Sequence, residues 1–401
     1  MTHATILPRA SSIFHYPGLL RPPPRLSYAI NKALFNEGAK TMGIIERTYG
    51  TGKNAPINEV LISSDSHVIE PAGLWQKELP KQYHDRAPNY GGQRPNDVPG
   101  GAQEKNKRVA EMKADGVSAE VLYPTHGLKC LSLDDHDLEA ACCRVYNDWL
   151  IDYCGAAPDR MIGIAMLSMY DIDGAVKELE RCRDAGMRGS VIWQVPPAEL
   201  PFSSPHYDKF WAASQDLDMP VNLHILSGHG YSRSRTFGQG DTPTGMTAEH
   251  NSVNMKLFQS VDSLYDLIYS GVLERFPKLK IVLVENELGW IPFVLEQWDY
   301  YFKRHGTNRQ GLAIKKRPSE YFHNQIYTTF FNDAVGGHIL NWWGQDNCMW
   351  SNDFPHGNTT WPSSREVITR DLGSLPANLR AKLVRENVAK LYNIPIPTPV
   401  Q

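Results

Sequence analysis

From residue 58 onward the chain alternates eight short apolar runs with segments of helical periodicity. The runs are Val60–Asp65, Val117–Tyr123, Met161–Leu167, Gly189–Trp193, Val221–Ile225, Lys280–Val284, Ile326–Phe331 and Cys348–Ser351. Short, nearly continuous apolar runs are the pattern of parallel strands covered on both faces. The clearest helical segments are Asp134–Ala156, Ile172–Ala185, His206–Leu217, Leu257–Arg275 and Trp290–Lys303. Gly186 follows one of them as a C-cap would, and Pro220 and Pro277 stand in turns that lead into strands. Eight strands alternating with helices predict an α/β fold of the (β/α)8 TIM-barrel type. A doubly wound sheet gives the same alternation, usually with fewer strands, and no strand here is followed by the glycine fingerprint of a dinucleotide site.

Length and composition set the frame around that barrel. The 401 residues divide into an N-terminal extension or arm at 1–57, the barrel at 58–395 and a short tail at 396–401. Net charge is −3, with no basic run, which argues against nucleic acid or an anionic membrane as a partner. No apolar stretch reaches the roughly 18–20 residues of a membrane span. Pro8, Arg9, His15 and Pro17 interrupt the N-terminal apolar runs, so no signal-peptide core is expected. The six cysteines show neither a CxxC pair nor zinc-finger spacing, and are read as reduced thiols of a cytoplasmic protein. Two long polar segments, 77–108 after the first strand and 227–250 after the fifth, are expected to be lids at the C-terminal face of the barrel.

The residue types that carry chemistry collect at one end of the strands. Asp65 and His67 stand two apart at the end of the first, so both project to the same face. Glu70 follows where the chain leaves the barrel. His224 lies in the fifth run, Glu285 ends the sixth, and Asp353 ends the eighth with His356 just beyond. A histidine inside an apolar run is by itself more often a hydrogen-bonded core residue, and a lone buried carboxylate needs a partner. Their shared position is the signal, because core polar residues have no reason to prefer the strand C-terminal ends, where TIM-barrel chemistry sits.

These segments resemble the amidohydrolase superfamily, in particular the amidohydrolase-related group that includes aminocarboxymuconate-semialdehyde decarboxylase and resorcylate-type decarboxylases. The resemblance covers about residues 58–395. It rests on Ser64-Asp65-Ser66-His67 with Glu70-Pro71, Leu74 and Trp75, and on Gly289-Trp290-Ile291-Pro292-Phe293. Asn352-Asp353-Phe354-Pro355-His356 with Thr360-Trp361-Pro362, and Glu386-Asn387-Val388-Ala389 with Leu391-Tyr392, complete it. It implies Asp65 and His67 as the first ligand pair, His224 from strand five and Asp353 from strand eight. Two positions depart from the family pattern. Asp65 replaces the first histidine of the pair, and Glu285 stands where decarboxylases of this group carry an acid/base histidine. The lysine that bridges two metals on strand four of some hydrolases has no counterpart in Val191-Ile192-Trp193-Gln194.

A mixed N/O set without thiolate suits a divalent metal, with Zn expected first and Mn or Fe also suited. Adding Glu70 and Glu285 would make room for a second ion. The expected function is that of a metal-dependent enzyme on a small, carboxylate-bearing organic substrate. It acts as a hydrolase through metal-activated water or as a non-oxidative decarboxylase. A dinuclear iron or manganese oxygenase and a non-catalytic partner subunit are the alternatives. Asp353 is the first choice for proton transfer, followed by Glu285 and His356. Trp193, His229, Arg233, Arg235 and Phe331 are expected to line or clamp the substrate, and the N-terminal arm to support a homo- or hetero-oligomer.

Overall fold

The computed structural model describes residues 57–90, 98–229, 254, 256–304 and 311–400. All eight predicted runs are strands of one sheet in the order β1 to β8. They are β1 Leu61–Val68, β2 Val117–Pro124, β3 Met161–Met166 and β4 Gly189–Ile192, followed by β5 Val221–His224, β6 Ile281–Val284, β7 Ile326–Phe330 and β8 Cys348–Trp350. Every neighbouring pair from β1/β2 to β7/β8 is parallel. Every residue of the strands is buried, as expected for strands with side chains inside the barrel and helices outside.

The seam between β1 and β8 is joined where the chemistry-bearing residues lie. The Asp353 N–H donates to the Asp65 carbonyl at 3.1 Å, and the His67 N–H donates to the Phe354 carbonyl at 2.5 Å. Lower down, the Ser64 hydroxyl donates to the Trp350 carbonyl at 2.9 Å. The first and last strands therefore meet through backbone and serine hydrogen bonds, and this contact sets the spacing between Asp65, His67 and Asp353.

Helices pack outside. His136–Cys154, Ile172–Asp184 and Ile291–Arg304 fall where periodicity predicts them. Gly186 has φ +98°, the left-handed conformation of a residue just past a helix end. The predicted helix Leu257–Arg275 is two helices, Lys256–Tyr269 and Val272–Arg275, because Gly271 at φ +75° breaks the run. The predicted helix at His206–Leu217 opens with a tight turn, Pro205–Tyr207, before Asp208–Asp216.

The segment 77–108 departs from the expectation of a lid loop. Its described part contains the turns Lys81–Arg86 and Gly100–Ala102 and enters the helix Lys105–Asp115. That helix escaped the periodicity because its buried face carries Arg108 and Asp115 beside Met112, so no apolar stripe marks it. The second predicted lid lies outside the described residues from 230 onward, and with it Arg233 and Arg235. The N-terminal arm also lies outside them, apart from Ile57.

A buried polar network ties this helix to the seam. Arg108 Nε donates to Glu120 Oε2 at 2.6 Å, and its Nη1 donates to the His67 carbonyl at 2.7 Å. Asn352 Nδ2 donates to Asp115 at 3.2 Å and Glu120 at 3.4 Å, while its Oδ1 accepts from Ser63 at 3.0 Å and Ser66 at 2.8 Å. One charged arginine thus balances a buried carboxylate and holds the backbone of a site residue. Removing one partner of such a pair leaves an uncompensated buried charge. Arg108→Met is therefore expected to cost about 3–5 kcal/mol in urea unfolding, and Arg108→Met combined with Glu120→Gln to recover a large share of it. A single variant as stable as the parent would contradict the pairing.

Candidate metal centre

Asp65, His67 and His224 bring ligand atoms within 4.8 Å of one another, and His67, Glu285, Asp353 and His356 do the same. The two groups share His67. Asp65, His67 and Asp353 are fully buried, His224 nearly so. Glu285 lies further out, and His356 exposes 27% of its side chain. The site has a sealed inner part and an outer part that reaches solvent.

The inner part has a feature that only a cation or a proton resolves. His67 Nδ1 lies 2.9 Å from the Pro124 carbonyl, and His224 Nδ1 lies 2.8 Å from the Ile225 carbonyl. Carbonyl oxygens only accept, so each Nδ1 carries the hydrogen and each Nε2 turns a lone pair inward. The two Nε2 atoms are 3.0 Å apart. Asp65 Oδ1 stands 3.4 Å from His67 Nε2 and 3.7 Å from His224 Nε2. Neither oxygen of Asp65 makes a hydrogen bond, and Asp353 Oδ1 faces His356 Nδ1 at 2.8 Å. Two imidazole lone pairs and two buried carboxylates converging in a buried space fit a divalent cation, and the carbonyls behind the rings provide the usual outer support.

The charges of the metal-free site follow from the same geometry. Burial alone would raise the Asp65 carboxyl, but His224 and His67 outweigh it and hold it well below the usual carboxylate range. Burial and His356 push the His67 imidazole down to about 4. Burial also opposes charge on His224, yet Asp65 holds it above the ordinary histidine value. Asp353 goes the other way: burial, with Glu285 and Asp65 nearby, pushes its carboxyl well above the ordinary value.

Glu285 and Asp353 both sit in unusual backbone. Glu285 has φ +59° and Asp353 φ +51°. Left-handed conformations cost a non-glycine residue roughly 1–2 kcal/mol, and residues held there concentrate at functional sites. The Glu285 N–H is fixed by Thr329 Oγ1 at 2.8 Å, and its carboxylate pairs with Lys256 Nζ at 3.2 Å.

One expected ligand is corrected. Glu70 is buried but turned away, with its two oxygens accepting the N–H groups of His126 and Gly127, both at 2.9 Å. It caps the tight turn Gly127–Ser132, and burial raises its carboxyl to about 7 against the pull of those N–H groups. The structure brings Glu285 and His356 into the cluster. Trp193 and His229 form an aromatic group behind the ends of β3 to β5, with Tyr170 donating or accepting at 3.0 Å from His229 Nε2. Gly228, φ +92°, allows the close pass there, because a Cβ would collide with the Val195 carbonyl. Phe331 is buried at the end of β7, its N–H 3.3 Å from the Glu287 carboxylate.

Sequence reasoning missed Lys256, Arg108 and Asn352. Asn352 stood in a motif without a role, and the other two had only the weak signal of a basic residue near an apolar segment.

Eight parallel strands with histidines and carboxylates converging at their C-terminal ends define a metal-handling (β/α)8 barrel. The chain belongs to the amidohydrolase family, whose profile matches residues 101–394. It is 24% identical to the gamma-resorcylate decarboxylase of a Rhizobium species over 316 residues, covering 72% of this chain and 87% of that one. To the enzyme of the same description in Rhodococcus jostii it is 27% identical over 273 residues, covering 63% and 76%. Solved structures share the fold. An amidohydrolase from Mycobacterium avium subsp. paratuberculosis superposes with a TM-score of 0.69 at 20% identity, covering 84% of this chain and all of that one. A dihydroxybenzoic acid decarboxylase from a Polaromonas species, with bound manganese and 2-nitroresorcinol, gives 0.62 at 19% identity, covering 84% and 97%.

Proposed function

We propose that this chain is a metal-dependent, non-oxidative decarboxylase of a small hydroxylated aromatic carboxylate. The observation that carries the reading is the joint one: similarity to gamma-resorcylate decarboxylases over most of the chain, on a barrel that brings Asp65, His67 and His224 together with Asp353 Oδ1 3.6 Å from His67 Nε2. These four are the proposed ligands. Two imidazoles and two carboxylates suit Mn(II) as well as Zn(II), and manganese is the ion bound in the Polaromonas structure.

Held by these residues, a divalent cation would supply an electrophilic centre that favours negative charge developing on the substrate. The chain supplies the rest. The Pro124 and Ile225 carbonyls fix the His67 and His224 rings, so ligand geometry is set before substrate arrives. Lys256, 27% exposed on the outer side, offers positive charge to an anionic substrate. Asp353 is placed as the proton carrier. The bond between the ring and its carboxylate breaks, the electron pair stays on the ring carbon, and that carbon takes the Asp353 proton, which solvent restores. Glu285 stands where the family resemblance implies a histidine, so the proton route is assigned to strand eight.

The test uses metal-stripped protein reloaded with Mn(II) and offered 2,6-dihydroxybenzoate, 5-carboxyvanillate and related ortho-hydroxybenzoates in D2O. Release of carbon dioxide with one deuterium at the vacated ring carbon is the expected result. A folded, Mn-loaded protein that leaves the whole series intact would sink the reading. Hydrolysis by the same ligands would release no carbon dioxide, and the oxygenase alternative needs a second ion.

A further inference from the structure

Just beyond β4, where no metal-bridging lysine stands, the Gln194 amide donates to Ser260 Oγ at 3.0 Å and Asn286 Oδ1 at 3.3 Å. Among the described residues, no group of converging metal-type side chains lies on that side. The strand-six and strand-eight side differs. We infer that Glu285, Asp353 and His356 form a second divalent-cation position outside the first, with the Asp353 carboxylate shared between the two.

Four observations carry this. The ligand atoms of Glu285, Asp353 and His356 lie within 4.8 Å of one another and of His67. Both oxygens of Asp353 are buried, and its Oδ1 faces imidazole nitrogens of both groups. Its Oδ1 stands 3.6 Å from His67 Nε2 and 2.8 Å from His356 Nδ1, between two imidazoles whose rings are 4.0 Å apart. The third ligand, Glu285, is 7% exposed and reaches the rim, where the Lys256 ammonium lies against it.

Charge favours the same arrangement. Asp65, Asp353 and Glu285 place three carboxylates around a largely buried space, and one divalent ion leaves one of them uncompensated. Lys256 supplies the missing charge from a long, flexible and partly exposed side chain. A cation at Glu285 would displace it at little cost. The donors are carboxylate oxygen and imidazole nitrogen, which select Mn(II)- or Fe(II)-type ions over soft ones. As a carboxylate shared by two cations, Asp353 no longer delivers a proton, so excess metal is expected to suppress decarboxylation. That last consequence rests on the function proposed above, and the cation count does not.

The experiment titrates chelator-stripped protein with Mn(II), reading bound metal by equilibrium dialysis and its electron paramagnetic resonance. Two equivalents are expected, the second weaker, and its binding replaces the isolated-ion spectrum with an exchange-coupled one. Glu285→Gln and His356→Ala should each keep the first equivalent, which also reports that they are folded, and lose the coupled spectrum. Lys256→Met should tighten the second equivalent by about tenfold, equal to about 1.4 kcal/mol. Saturation at one equivalent, two ions with no coupling, or a coupled pair that survives in Glu285→Gln would each overturn the inference.

Discussion

Replacing His67 with alanine is expected to abolish metal retention and lower turnover by at least about a thousandfold, corresponding to roughly 4 kcal/mol of transition-state stabilisation. The effect should be the largest of any single ligand, because His67 belongs to both groups of converging atoms. Its ring is fixed from behind by the Pro124 carbonyl, and its own carbonyl is held by Arg108. The backbone should therefore stay in place when the ring is removed, so lost chemistry can be separated from lost folding. Elemental analysis after dialysis against buffer, beside a circular dichroism spectrum, checks this. A variant that keeps one tightly bound ion and a native spectrum would show that His67 is a core histidine and that the ligands lie elsewhere.

The legibility of this site in the sequence divides along physical lines. Strands and their order follow from short apolar runs, because burial on both faces leaves no polar alternation to confuse the period. Asp65 and His67 were legible as a pair because strand geometry makes residues two apart share a face. Glu70 was misread because a carboxylate beside a metal-type motif looks the same whether it binds an ion or caps a turn. Its partners are backbone N–H groups of His126 and Gly127, which leave no mark in side-chain types. Arg108 hid an entire helix, since a charged residue on the buried face erases the apolar stripe, and its partner Glu120 lies on strand β2. Lys256 became visible only through its distance to Glu285, a contact between a helix and a strand end that no local pattern encodes. Periodicity reports burial, whereas pairing across the barrel mouth requires coordinates.

Asp353→Asn is expected to make the metal-free protein more stable while removing its activity. The wild-type carboxylate is fully buried near Asp65 and Glu285, and the His356 imidazole whose Nδ1 lies 2.8 Å from its Oδ1 is itself disfavoured in its charged form by burial. Neutralising a group in that position should gain about 1–3 kcal/mol of unfolding free energy in chelator. The sign can be checked against pH. Burial, Glu285 and Asp65 hold the Asp353 carboxyl well above its ordinary value, so the native state keeps a proton that the unfolded chain releases. Stability of the metal-free wild type should therefore fall as pH rises above the ordinary carboxylate range towards that raised value, and the asparagine variant should lack this component of the fall. Adding Mn(II) should reverse the ranking. The wild type gains about 2.7 kcal/mol at a free concentration one hundred times the dissociation constant. The variant, with a neutral amide in place of an anionic ligand, gains less. Turnover should drop roughly a hundredfold to ten-thousandfold, the usual contribution of a positioned acid/base group. An asparagine variant that is less stable than wild type in chelator across the whole pH range would mean that Asp353 is a structural residue whose buried charge is already compensated. The strand-eight proton route and the shared second-ion ligand would then both be untenable.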